Sequence, residues 1–408
     1  MPLTLITGPI NSGKTTKLLS IFKAALNDGG NPLYIVPNES IATELRKYFL
    51  TTGSIALLGD LFISFPSFVK KLSRVKKHIL SSQQQTLLCH KLLLKQDLRY
   101  FSKAGISLGI AKEAADTIAT LKRNLIDTQK LRGILETKGS LKEYDLLILY
   151  ENYEKFLKDN NLFDTGDVYF KIVGTRLIAS LQNHVIIFDE FFMPEPGIIE
   201  ILNILKRQLP KTQIIISHSD SDNDLDLFAN AVSISINTLS KIADSHERLT
   251  SKYSTESTPV TIVTSSPMEE ARFVLSESGD ENFETVIAIR DNLFASYFYS
   301  IGNSPLYPEI IDNLEHALPS TTHPSKFVEI SKGVLRQKID SDNLKTSLKN
   351  PEDRIFAART SSLFISLDKI MDSISTDASL LNIDSISREL FLEHINQLMD
   401  INVYSGST

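Results

Sequence analysis

The sequence predicts an α/β protein: a parallel sheet with a phosphate-binding loop, interrupted by a mostly helical insertion and followed by part of a second α/β domain. Three observations carry this. A glycine-lysine loop sits between a strand pattern and a helix pattern within the first 30 residues. Short β-prone runs then flank a long stretch that is poor in them. Strand vocabulary returns once more beyond residue 256. With 408 residues, 42% apolar and 23% charged, the chain can form two or three domains with substantial cores. No run approaches the roughly 20 apolar residues of a membrane span, and no basic-then-apolar leader follows Met1, so a cytoplasmic protein without membrane contact is expected. The single cysteine, Cys89, excludes an internal disulfide framework and a four-thiolate metal site built from these residues.

The first strand is Leu3-Thr4-Leu5-Ile6-Thr7. Gly8-Pro9-Ile10-Asn11-Ser12-Gly13-Lys14-Thr15 then fits G-x-x-x-x-G-K-[ST] at every fixed position, and Leu18, Leu19, Phe22, Ala25 and Leu26 follow at helical spacing. Glycine at positions 8 and 13 lets consecutive backbone amides converge on phosphate oxygens at a helix N-terminus. Gly8, Asn11, Ser12, Gly13, Lys14, Thr15 and Thr16 are thus expected to cradle ATP. Lys14 would neutralise the β/γ-phosphates and the Thr15 hydroxyl would ligate Mg²⁺.

Leu33-Tyr34-Ile35-Val36 is a second strand, followed by a helix through Leu45, Tyr48 and Phe49. From about Pro66 to Ser180 helical periodicity dominates, over Gln84 to Gln96, Ser107 to Leu125 and Lys142 to Leu157. Between Ser67 and Lys103 nine Lys/Arg stand against one acid, Asp97, in a chain whose net charge is −6. Such a run is either a solvated helix face or a track for nucleic-acid phosphates, with Lys70, Lys71, Arg74, Lys76 and Lys77 as the candidate DNA contacts.

Sheet vocabulary returns at Val185-Ile186-Ile187-Phe188, directly followed by Asp189-Glu190. Acids at the C-terminal end of a parallel strand lie where such sheets bind ligands. Asp189 is the candidate Mg²⁺-side acid and Glu190 the candidate general base. A helix from Gly197 to Gln208 leads to the strand Thr212 to Ile216. The alternating Asp220, Asp222 and Asp224 beyond it do not form a calcium loop, because Leu225 occupies the required glycine position. Thr258 to Val263 and Thr285 to Ile289 read as strands of the second α/β domain. The residues from about Pro319 onward read as helical, with no catalytic signature.

The order and spacing of these segments resemble the N-terminal part of the AddB/RexB subunit of bacterial ATP-dependent helicase–nucleases, relatives of UvrD-type superfamily 1 helicases. Gly8 to Thr15, Leu33 to Glu39, Phe62-Ile63-Ser64-Phe65, Asp164-Thr165-Gly166-Asp167, Ile186 to Phe191, Asp226-Leu227-Phe228, Glu269-Glu270-Ala271 and Ile287 to Asp291 carry the resemblance. It implies a RecA-like first motor domain (1–65 and 181–255), a helical insertion (66–180), the start of a second RecA-like domain (256–318) and a helical region (319–408). It also implies a motor-competent AddA/RexA-like partner subunit, work on double-strand DNA ends in recombinational repair, and a nucleotide- or domain-contact role for Arg290.

Two features depart from UvrD-type motors, which read adenine through a glutamine-containing segment upstream of the phosphate loop and sense the γ-phosphate with a glutamine after the Thr212–Ile216 strand. Seven residues precede Gly8 here, and the second position reads Ser217-His218-Ser219. No nuclease core with paired acids and four cysteines falls within these residues. A DNA-end-processing subunit and a non-hydrolysing nucleotide-binding scaffold therefore both fit the sequence. A small-molecule kinase fits less well, given the long insertion and the second α/β segment.

Overall fold

In the computed structural model the described residues are 3–9, 11–52, 59–174, 185–190, 195–220, 229–250, 306–341 and 351–395. The chain divides into two compact units, Met1–Glu256 and Ser257–Thr408.

Among the described residues the first unit is built on six strands: β1 (Leu3–Gly8), β2 (Leu33–Val36), β3 (Phe62–Ser64), β4 (Val185–Phe188), β5 (Gln213–Ser219) and β6 (Ser245–Arg248). They lie in the order β3-β2-β4-β5-β1-β6, and every pairing is parallel. The central strands are apolar at consecutive positions because both faces are covered. Leu33, Ile35, Ile186, Phe188, Ile214 and Ile216 point into one core layer. The alternate residues Tyr34, Val36, Val185, Ile187 and Ile215 point into the other. Helices α1 (Lys14–Asn27) and α2 (Glu39–Thr52) cover the second face through Leu18, Phe22, Ala42 and Phe49.

The first face is covered by α3 (Phe65–Ser73), then by residues that return from the insertion. Between α3 and β4 the described chain is helical, with α4 (Ser82–Lys95), α5 (Phe101–Ala104), α6 (Leu108–Arg123), α7 (Thr128–Lys138), α8 (Leu141–Asp159) and α9 (Thr165–Gly174). Side-chain caps start several of these. Ser81 and Gln84 form a reciprocal capping box on α4, and Ser107 and Asp127 cap α6 and α7. Val168, Tyr169 and Ile172 of α9 pack with Ile201, Leu202, Ile204 and Leu205 of α10 (Pro196–Gln208) in the first core layer. Leu239 of α11 (Ala229–Ser240) completes it. The insertion thus returns to the sheet and closes one of its faces.

A buried ion cluster pins α9 to α6. The Lys122 ammonium meets Asp164 Oδ2 and Asp167 Oδ1, each at 2.8 Å, and also pairs with Glu154 of α8. Asp164 and Asp167 cap each other's backbone amides at 2.8 and 3.1 Å, which starts α9. Gly166 lies flat against the Lys122 stem, and a Cβ there would come within 2.6 Å of Lys122 Cδ. The Asp164-Thr165-Gly166-Asp167 segment is therefore a seat for one buried lysine. Cys89 is also buried, and burial pushes its thiol above the ordinary range, which makes it unreactive.

In the second unit the described residues form helices Leu306–Ala317, Pro324–Ser341 and Pro351–Leu380, with a short antiparallel pair of Thr321–Thr322 and Ile386–Ser387. Ile310, Leu314, Phe327, Leu367, Met371, Phe391 and Ile395 form its core. The strands expected at 258–263 and 285–289, and Arg290, lie outside the described residues. Among the described residues no helix is long and apolar enough to cross a membrane.

Candidate functional site

The loop between β1 and α1 turns on two left-handed residues, Asn11 (φ 63°) and Gly13 (φ 84°), and Gly13 is the N-cap of α1. No side chain caps α1 and no acid occupies its first turn, so its leading amides remain available to an anion. Gly8 is fixed by crowding: a Cβ would lie 2.6 Å from Ser12 Oγ and 2.7 Å from the Leu249 carbonyl oxygen. The buried Ser12 Oγ has no hydrogen-bond partner among the described residues. The Lys14 ammonium is buried inside the loop, donating to the Gly8 and Pro9 carbonyls at 2.9 and 3.0 Å.

Asp189 and Glu190 end β4, which is not the neighbour of β1 because β5 lies between them. The two meet across that strand's end all the same. Thr15 Oγ1 donates to Asp189 Oδ2 at 3.1 Å. Asn11, Ser12, Gly13, Lys14, Thr15, Thr16, Glu190 and Ser219 line one cavity of about 560 Å³. Gly8, Asn11 to Thr16, Asp189 and Glu190 are thereby gathered at the C-terminal edge of the sheet, while Arg290 is not among the described residues.

Two further residues reach Asp189, and the sequence gives neither of them this contact. Tyr34 OH donates to Asp189 Oδ2 at 2.6 Å, and Ser217 Oγ donates to Oδ1. Ser217 Oγ also accepts the Glu190 amide at 2.9 Å, with Glu190 held at φ 61°. Burial, then the Asp189 charge, pushes the Tyr34 phenol well above its ordinary range, so it remains a donor. His218 is shifted down chiefly by burial, its Nδ1 lying 2.6 Å from the Ser219 carbonyl. Tyr34 reads in sequence as an aromatic of a buried strand. Its one visible signal is a hydroxyl in an otherwise apolar run.

The candidate DNA contacts lie apart from this cavity. Lys70 and Lys71 occupy the last turn of α3, where cations favour the helix dipole, and Arg74 caps it in a left-handed conformation (φ 49°). These three, with Lys76 and Lys77, are exposed, and among the described residues none forms an ion pair with an acid. Lys77 lies 4.6 Å from the centre of the Phe163 ring.

The described strands thus define an α/β protein with a parallel sheet, carrying the glycine-lysine turn and the strand-end acid at one edge. The family described as ADDB, N-terminal, matches residues 5–266, and the chain belongs to that family. It is similar to proteins named as the B subunit of an ATP-dependent helicase/deoxyribonuclease. The one from Listeria innocua is 27% identical over 47% of this chain and 17% of its own length. The one from Caldanaerobacter subterraneus is 27% identical over 45% and 17%. The one from Bacillus licheniformis is 23% identical over 56% and 22%. The matched region thus spans about a fifth of these relatives.

Proposed function

We propose that this chain is the nucleotide- and DNA-binding N-terminal portion of the AddB-type component of an ATP-dependent helicase–nuclease, acting in the cytoplasm on double-strand DNA ends together with a motor-competent AddA/RexA-like partner. The observation that carries the reading is the contact of Thr15 with Asp189, 174 positions apart, at the mouth of the Lys14 cavity.

The residues present suit ATP–Mg²⁺. The uncapped start of α1, the Lys14 ammonium and the Ser12 hydroxyl, which has no partner among the described residues, supply donors for phosphate oxygens; the Thr15 hydroxyl supplies an oxygen ligand of the kind Mg²⁺ takes, with the Asp189 carboxylate on the metal's side. Mg²⁺, when bound, offsets phosphate charge. Glu190 lines the cavity, and in this reading it accepts a proton from an attacking water. On this reading residues 1–255 form a RecA-like domain carrying the helical insertion at 66–180, and residues 256–318 begin a second one.

Binding without turnover is the second reading. It is favoured by the Ser217-His218-Ser219 region, where UvrD-type motors carry a glutamine and where Ser217 is committed to Asp189 and Glu190. ATPase assays of the chain and of Lys14→Ala, with and without DNA, separate the two. DNA-stimulated hydrolysis lost in the variant supports a motor, and nucleotide binding without hydrolysis supports the scaffold. Fluorescence anisotropy with labelled DNA tests the basic track: reversing Lys70, Lys71, Lys76 and Lys77 should weaken binding and flatten its salt dependence. Unchanged affinity and salt slope would remove the DNA assignment.

A further inference from the structure

The Asp189 carboxylate is 2% exposed and accepts from three hydroxyls: Thr15 and Tyr34 on Oδ2, Ser217 on Oδ1. A carboxylate offers about four lone-pair sites, so the protein occupies most of them. Thr15 can turn away, since it lies on the cavity wall. Tyr34 cannot. Its ring is wholly buried, edge-on to Phe22 at 5.9 Å and tilted against Phe62 at 5.3 Å, which fixes where its hydroxyl points. Ser217 is also wholly buried, and its one hydroxyl ties both acids, donating to Asp189 and accepting from the Glu190 amide.

Building on the Lys14 cavity as a nucleotide–Mg²⁺ site, and resting on that reading, we propose that Tyr34 and Ser217 are positioning residues. They make Asp189 an acceptor for metal-bound water rather than a direct metal ligand, and so set the Mg²⁺ dependence of nucleotide binding. Two immobile donors prevent the carboxylate from rotating to chelate a cation. The acceptor capacity left on Oδ1, and that freed on Oδ2 when Thr15 turns to a metal, suits a water of the Mg²⁺ shell. Mg²⁺ gives up such waters reluctantly, which matches an acid that cannot compete for direct coordination. In the Ser217 variant Glu190 also loses the acceptor of its amide.

The test measures binding of a fluorescent ATP analogue to the whole chain while Mg²⁺ is titrated, and again in EDTA. Tyr34→Phe removes only the hydroxyl and keeps the ring. It and Ser217→Ala should each raise the Mg²⁺ concentration at half-saturation about tenfold, as losses of outer-shell partners commonly do. Affinity in EDTA should change less than twofold. An unchanged Mg²⁺ midpoint in Tyr34→Phe, or an equal loss with and without Mg²⁺, overturns the proposal, the latter by showing a packing effect. Wild-type chain that binds no analogue, or Lys14→Ala that binds it as well as wild type, instead overturns the underlying nucleotide reading.

Discussion

Replacing Lys122 by Met should destabilise the first unit by about 3–5 kcal/mol at neutral pH, the range for a buried ion pair stripped of one partner. The Lys122 side chain is 1% exposed, and so is that of Asp164, which it meets at 2.8 Å. Burial works against the ammonium, but Asp164, Asp167 and Glu154 together outweigh it and hold the charge on. Methionine fills much the same volume, so the substitution removes the charge while limiting cavity formation. What remains is three carboxylates around an apolar stem. Taking up protons would relieve their mutual repulsion in the folded state, so the folded state would bind more protons than the unfolded chain. The loss should therefore be full above neutrality and shrink as pH falls toward about 4. At roughly 2–4 °C per kcal/mol for a unit of this size, the melting temperature should drop by about 6–20 °C at pH 7.5 and by less at pH 5. Thermal denaturation followed by circular dichroism measures both. A melting point within about 2 °C of wild type at pH 7.5, or a deficit that grows on acidification, refutes the assignment of Lys122 as the counter-charge of the cluster.

Gly166→Ala should destabilise by about 1–3 kcal/mol because its Cβ meets the anchored Lys122 stem. Paired with Lys122→Ala, the two losses should add to less than their sum, which a double-mutant cycle of urea midpoints would show. Burial pushes Glu154 up to about 7, against the pull of Lys122. The folded state then holds a proton that the unfolded chain has lost, so this residue makes stability fall as pH rises from about 4.3 to 7 and level off above. Glu154→Gln should flatten that part of a stability–pH profile. Gly8→Ala should cut binding of an ATP analogue at least tenfold, since its Cβ would press on Ser12 and on the Leu249 carbonyl; wild-type affinity in an equilibrium titration would contradict the crowding argument.

The strand, turn and helix around Lys14 were legible because glycines and a lysine at fixed spacing stand between a β-prone run and a run of helical periodicity. The strand-end pair Asp189-Glu190 was legible for a related reason: an apolar run ending in acids marks the edge where a parallel sheet binds ligands. That β5 separates β4 from β1 was not legible, since strand order is set by crossovers and leaves no local pattern. Lys122 reads as one more surface cation at the end of an amphipathic helix. Its acids lie 32, 42 and 45 positions away, beyond any helical spacing, and only the tertiary fold brings Glu154 of α8 and the start of α9 to Lys122. Ser217 reads only as a departure from a glutamine, because its bonds to both acids depend on the neighbouring strand. The basic segment was visible as composition, and among the described residues its exposed members Lys70, Lys71, Arg74, Lys76 and Lys77 form no ion pair with an acid.

The central claim is that the amides and ammonium around Lys14 enclose a triphosphate whose metal faces Asp189. Co-crystallisation with a non-hydrolysable ATP analogue and Mn²⁺, with anomalous diffraction recorded to find the metal, tests it most directly. The account predicts phosphate density within the Asn11–Thr16 turn and one anomalous peak beside Thr15 Oγ1, reaching Asp189 through water. Nucleotide bound elsewhere, or a metal held far from Thr15 and Asp189, would contradict it.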